Sequence, residues 1–218
     1  MNDELDKEHQ RTFTYHFFFV HGLYDQLKDI EDFVNATNIF LTDSLKEKAS
    51  KENLNESINP RFSPEIQFEN IFPDILWRTT FLHCYFLLEY SLDQVCKNIQ
   101  QVENHKLKLN DINGNGIFRA SVYLKKVCNI ISPFETQNWA KLSDYNTLRN
   151  IFVHSDGVAQ NVKKKIVEIA KRHPGLLIAI FDIDTLGIRF TKEFILSTIK
   201  TIEEFFNDLQ QNMRQNKT

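Results

Sequence analysis

Residues that break helices or cross-link a fold are scarce in this chain. Its 218 residues include six glycines and five prolines. That excludes collagen-like and loop-dominated architectures and leaves room for long helices. The three cysteines, Cys84, Cys96 and Cys128, are odd in number, form no C-x-x-C pair and fall in apolar helical patterns. A disulfide framework is therefore excluded, and reduced thiols in a cytoplasmic protein are expected. No apolar run reaches 18 residues; the most apolar stretch, residues 81–92, contains His83 and Glu89. It reads as a core helix, and no membrane association is expected. The opening residues, Met1 to Asp6, are polar and acidic, unlike a signal or transit peptide. Positive charge is also lacking overall: the net charge is −3. Any nucleic-acid binding would need a local basic patch.

What is present is aromatic and helical. Nineteen phenylalanines and a hydrophobic fraction of 42% point to a Phe-rich core. From Arg11 to about Thr42 apolar residues recur at three and four (Phe13, Phe17, Val20, Leu23, Leu27, Ile30, Val34), which predicts one amphipathic helix. His16 and His21 lie on it, five apart, a poor spacing for one metal site. Residues 43–70 turn polar, with Pro60 and Pro64, and read as a long connection with one helical turn near 43–51. This divides residues 1–71, an N-terminal helix and connection, from a main helical domain over 72–215.

The main domain opens with Phe72-Pro73-Asp74, and a helix to about Val102 is expected, apolar nearly all round and therefore central. Glu89 is its anomaly. A buried carboxylate needs a partner or a proton, and Arg149 and Arg78 are candidate partners. Asp111 to Gly116 is a turn-rich loop with neither the ligand spacing of a calcium loop nor the G-K-[ST] of a phosphate loop. Further helices are expected over 117–131, 139–155 and 191–212. Between the last two lie a basic segment, 158–173, with a short amphipathic helix, and a hairpin of two strands, 176–181 and 188–190. The expected fold class is all-α: an antiparallel helical bundle with an extra N-terminal helix and a small β-hairpin before the last helix.

One stretch carries chemistry. Leu148-Arg149-Asn150-Ile151-Phe152-Val153-His154-Ser155-Asp156-Gly157 places Asn150 and His154 at i, i+4, on one helical face. Arg149 lies about 140° round from His154 but has the length to swing back. Asp156-Gly157 supplies a stop with a glycine for the left-handed cap. In purely structural terms, His154 is a helix-terminal residue near the negative end of the dipole.

The R-N-x-x-x-H pattern resembles the R-x4-6-H motif of HEPN domains, all-helical modules of which many are metal-independent ribonucleases. The resemblance covers about residues 72–215, and only Arg149, Asn150 and His154 match functional positions. It implies a homodimer in which two motif helices share one cleft, with RNA as substrate, no metal and no cofactor. His154 would act as general acid or base, Arg149 would bind the phosphate, and Asn150 would position one or the other. Glu89 is a further, weaker catalytic candidate. Lys125, Lys126, Lys163, Lys164, Lys165, Lys171 and Arg172 are candidates for guiding the RNA backbone, though solvated helix faces use lysine in the same way. Proteins of this kind often act in toxin–antitoxin pairs or phage defence, which implies an antitoxin or defence-system partner. Some such toxins carry H-x-Y, with a tyrosine modified by the partner; here Asp156 stands at that position.

The alternative is a non-catalytic helical module that binds RNA or a nucleotide, or mediates dimerisation. A metal hydrolase is disfavoured by seven scattered histidines and the lack of H-E-x-x-H. A cysteine nucleophile is disfavoured by the apolar setting of all three thiols.

Overall fold

A computed structural model of the chain describes residues 22–51 and 63–215. The described residues are mainly helical, with one small sheet. Its elements are α1 (Asp25–Lys51), α2 (Phe72–Glu103), α3 (Gly116–Lys126), α4 (Gln137–Ser155), β1 (Val158–Gln160), α5 (Lys163–Arg172), β2 (Leu176–Ile180), β3 (Thr185–Phe190) and α6 (Lys192–Gln215).

Helix α1 runs nine residues past its expected end at Thr42, as far as Lys51. The polar stretch after Thr42 contains neither glycine nor proline before Lys51, and its Lys, Glu, Ala and Leu are strong helix formers. Polarity there marks a solvated helix, not a connection. The part expected before Gly22, with His16 and His21, and the stretch 52–62 with Pro60 lie outside the described residues. A helical turn, Pro64–Ile66, and a π turn, Gln67–Ile71, lead into α2.

Helix α2 spans 32 residues with Pro73 in its first turn, as expected. It is not buried all round. Phe86 and Tyr90 lie on an exposed side, while Phe81, Cys84, Leu88, Leu92 and Cys96 are fully buried. Helix α3 stops at Lys126 rather than Ile131. Asn129 adopts a left-handed φ of 55°, and the Ile130 N–H reaches back to the Leu124 carbonyl at 2.9 Å. A 3-10 turn, Ser132–Glu135, then takes Pro133. Thr136 starts α4: its hydroxyl accepts from the Trp139 N–H at 3.3 Å, an N-cap contact three residues on.

The expected hairpin is β2–β3, but a third strand joins it. The sheet order is β1-β3-β2, antiparallel throughout, with Val158 opposite Gly187 and Ile178 opposite Ile188. The segment 158–160 reads as part of a basic loop because three residues are too few to show an alternation. Only the partner strand reveals it.

The chain forms two compact units, and each of the four long helices contributes a segment to each. Among the described residues, the first comprises 22–28, 84–147 and 200–215. Its core includes Leu92, Ile117, Tyr123, Leu142, Tyr145 and Phe206. Buried hydroxyls find partners: Tyr85 donates to Asn146 Oδ1 at 2.6 Å and Tyr145 to Thr201 Oγ1 at 3.4 Å. Trp139 packs edge-on against Phe134, ring centres 4.9 Å apart.

The second unit comprises, among the described residues, 29–51, 63–83 and 148–199. Its centre is four phenylalanines. Phe190 stacks on Phe194 at 4.4 Å and meets Phe81 at 4.6 Å and Phe152 at 4.8 Å. Each buried ring removes enough apolar area from water to stabilise the fold by roughly 1.5–3 kcal/mol. No helix among the described residues is long and apolar enough to cross a membrane.

Candidate functional site

The last two turns of α4 present two opposite stripes. Leu148 and Phe152, four apart, are buried, and Phe152 enters the phenylalanine cluster. At 100° per residue, Asn150 and His154 then fall on the opposite side. Asn150 is half-buried and His154 exposed. Arg149 lies between the stripes, and its side chain does swing toward Asn150: Nη1 donates to Asn150 Oδ1 at 2.9 Å. That contact orients the amide, because its oxygen is engaged and its NH2 group keeps two donors for an incoming acceptor. No hydrogen bond or ion pair holds His154 among the described residues.

The helix ends where expected, through two left-handed residues, Asp156 (φ 48°) and Gly157 (φ 82°). Gly157 has no room for a side chain. A Cβ there would stand 2.6 Å from Cε1 of Phe152. Its carbonyl accepts from the Ile188 N–H at 2.9 Å, so the turn ties the end of α4 to β3.

Arg78 of α2 reaches the same turn. Its Nη1 donates to Asp156 Oδ1, and its guanidinium lies 5.9 Å from the centre of the Phe152 ring. Sequence reasoning lists Arg78 only as a possible partner for Glu89. The pairing with Asp156 joins positions 78 apart, and no local pattern signals it.

Glu89 belongs to the first unit and is half-buried. Its carboxylate sits against the first turn of α3: a Cβ on Gly116 would lie 2.7 Å from Glu89 Oε1. The positive end of a helix favours a carboxylate there, and Asn115, the N-cap residue, makes no side-chain cap. This gives Glu89 a structural task.

The basic residues divide. Lys163, Lys164 and Lys171 line one open depression of about 650 Å³, together with Asn161, Glu168 and Asp184. The two carboxylates make this a mixed surface, not a purely cationic track. Lys163 also donates to the Ile183 carbonyl at 3.2 Å, bracing the β2–β3 turn. Lys165, Arg172 and Lys126 are exposed, and Lys125 stands 6.0 Å from the Phe134 ring centre in the first unit.

The thiols sit in surroundings that disfavour the thiolate. Burial pushes Cys84 and Cys128 up to about 12 and raises Cys96 still further. Among the described residues, no three His, Cys, Asp or Glu side chains group closely enough to hold a metal ion.

Comparison with protein-family models finds no match. Comparisons with curated proteins and with solved structures find none either. The HEPN reading therefore rests on Arg149, Asn150, His154 and the helices that carry them.

Proposed function

We propose that the chain is a metal-independent endoribonuclease of HEPN type, acting at a composite site made by two copies of the α4 motif. The observation that carries this reading is the Arg149–Asn150 contact beside an exposed His154 one turn on. In the proposed reaction the 2′-oxygen of one nucleotide attacks the adjacent phosphorus and the bond to the 5′-oxygen breaks. A base takes the 2′-hydroxyl proton and an acid protonates the departing 5′-oxygen. The products are a 2′,3′-cyclic phosphate and a 5′-hydroxyl. The Arg149 guanidinium, permanently charged, neutralises the crowded phosphorane with paired hydrogen bonds. The Asn150 NH2 group donates to a phosphate oxygen or to the imidazole. One imidazole serves poorly as both acid and base, so His154 of one chain and His154 of a second divide the two proton transfers. A toxin or phage-defence effector held by an antitoxin or defence-system partner is the setting such chemistry suits.

The test is incubation of the purified protein with structured RNA in excess chelator. The expected result is cleavage with cyclic-phosphate ends, reduced about 10²–10⁴-fold in His154→Ala. No cleavage, or cleavage that survives the substitution, overturns the proposal. The second reading, a non-catalytic RNA- or nucleotide-binding module, draws on the lack of any orienting hydrogen bond to His154. Tight RNA binding without cleavage would establish it.

A further inference from the structure

The two edges of the sheet differ. The β1 edge is three residues long, lying between the left-handed pair Asp156-Gly157 and the left-handed Asn161. The β2 edge is five residues, Leu176-Leu177-Ile178-Ala179-Ile180, and continues into Phe181. It carries no charge and no proline, the usual devices that keep an edge from pairing.

Its main chain is poised for a partner. The Thr191 N–H bonds the Gly175 carbonyl at 2.9 Å, and the Phe181 N–H bonds the Thr185 carbonyl at 3.0 Å. In this register, residues 175, 177, 179 and 181 turn their main chain toward β3, so Leu176, Ile178 and Ile180 turn theirs outward. The Leu176 N–H is taken by the His173 carbonyl at 3.2 Å. The N–H and carbonyl groups of Ile178 and Ile180 face the open edge, beyond which no strand stands among the described residues. Around them Leu177 is 52% exposed, Ile180 65%, Phe181 63% and Ile183 84%. Leu177 and Phe181 lie on one face of the strand and Ile180 on the other, so apolar side chains flank the open edge on both faces.

We propose that β2 pairs antiparallel with β2 of a second copy of this chain, across a two-fold axis at Ile178. The segment is its own complement. Ile178 faces Ile178 of the copy in a full hydrogen-bonded pair, and Leu176 faces Ile180, where the Ile180 N–H donates to the Leu176 carbonyl while the Leu176 N–H stays with His173. Leu177 faces Ala179 in the closer non-hydrogen-bonded pairs, large against small. No charge meets its own image. An isologous contact of this kind closes on itself, and it is a separate contact from any pairing of α4 motifs. The proposal does not depend on the ribonuclease reading, and its test uses no RNA.

Sedimentation velocity of the full chain between roughly 1 and 100 μM, the range expected of a small interface, should show a reversible monomer–dimer shift. Leu177→Lys, at an exposed position, should abolish that shift. As a second measurement, Leu177→Cys and Ala179→Cys proteins should cross-link on mild oxidation when mixed, whereas neither should cross-link alone. No concentration-dependent association, association that Leu177→Lys leaves unchanged, or a mixture that links no more than either variant alone would each overturn the proposal.

Discussion

The two stripes at the end of α4 have opposite characters. Leu148 and Phe152 are enclosed, with Phe152 locked into a cluster of four rings. Asn150 and His154 lie on the opposite side, half-buried and exposed, and Arg149 donates one hydrogen bond to Asn150. A polar pair that faces away from the core at the end of a rigid helix is where chemistry is most sensibly sought. The enclosed stripe supplies the rigidity that holds the exposed one in place.

The comparison can be broken most strongly at Phe152. Phe152→Ala should cost about 3–5 kcal/mol of stability in a denaturant melt, whereas His154→Ala should change it by less than about 0.5 kcal/mol. Equal losses would erase the distinction between the stripes. Gly157→Ala comes next, at about 1–3 kcal/mol. It forces a side chain into a left-handed position and against the Phe152 ring. Part of that cost is contact with the ring, so it should shrink in a Phe152→Ala background; strict additivity would mean that backbone strain alone is at work. Asp156→Asn should be smallest. Asparagine tolerates the same φ, and the lost pair with Arg78 is exposed on the Asp156 side, so under about 1 kcal/mol is expected in the same melt.

Much of the architecture was legible. The 3.6 period of apolar residues located α2, α4 and α6 to within a few residues, and Pro73 and Asp156-Gly157 marked the start of α2 and the end of α4. The misreadings have separate causes. The residues after Thr42 looked like a connection because they are polar, yet helix propensity there is high and solvent accepts a polar helix. Val158–Gln160 looked like loop because its identity as a strand comes entirely from β3. Asn129 ended α3 early through a left-handed turn that periodicity does not announce. In the candidate site, the shared face of Asn150 and His154 and the reach of Arg149 were both readable. The arrival of Arg78 was not, and Glu89 was legible only as an anomaly.

The sequence by itself determined which residues share a helical face, because 100° per residue is a local property of the backbone. It determined as well where the helices can end, because glycine, proline and asparagine set φ locally. Tertiary structure alone decided that Arg78 meets Asp156, that Glu89 sits against the first turn of α3 and that β1 joins β3 as a second partner. Those contacts join positions that are tens of residues apart. They exist because burying the phenylalanine cluster and the other apolar faces fixes where distant segments come to rest, and the polar groups then pair with whatever that packing brings within reach.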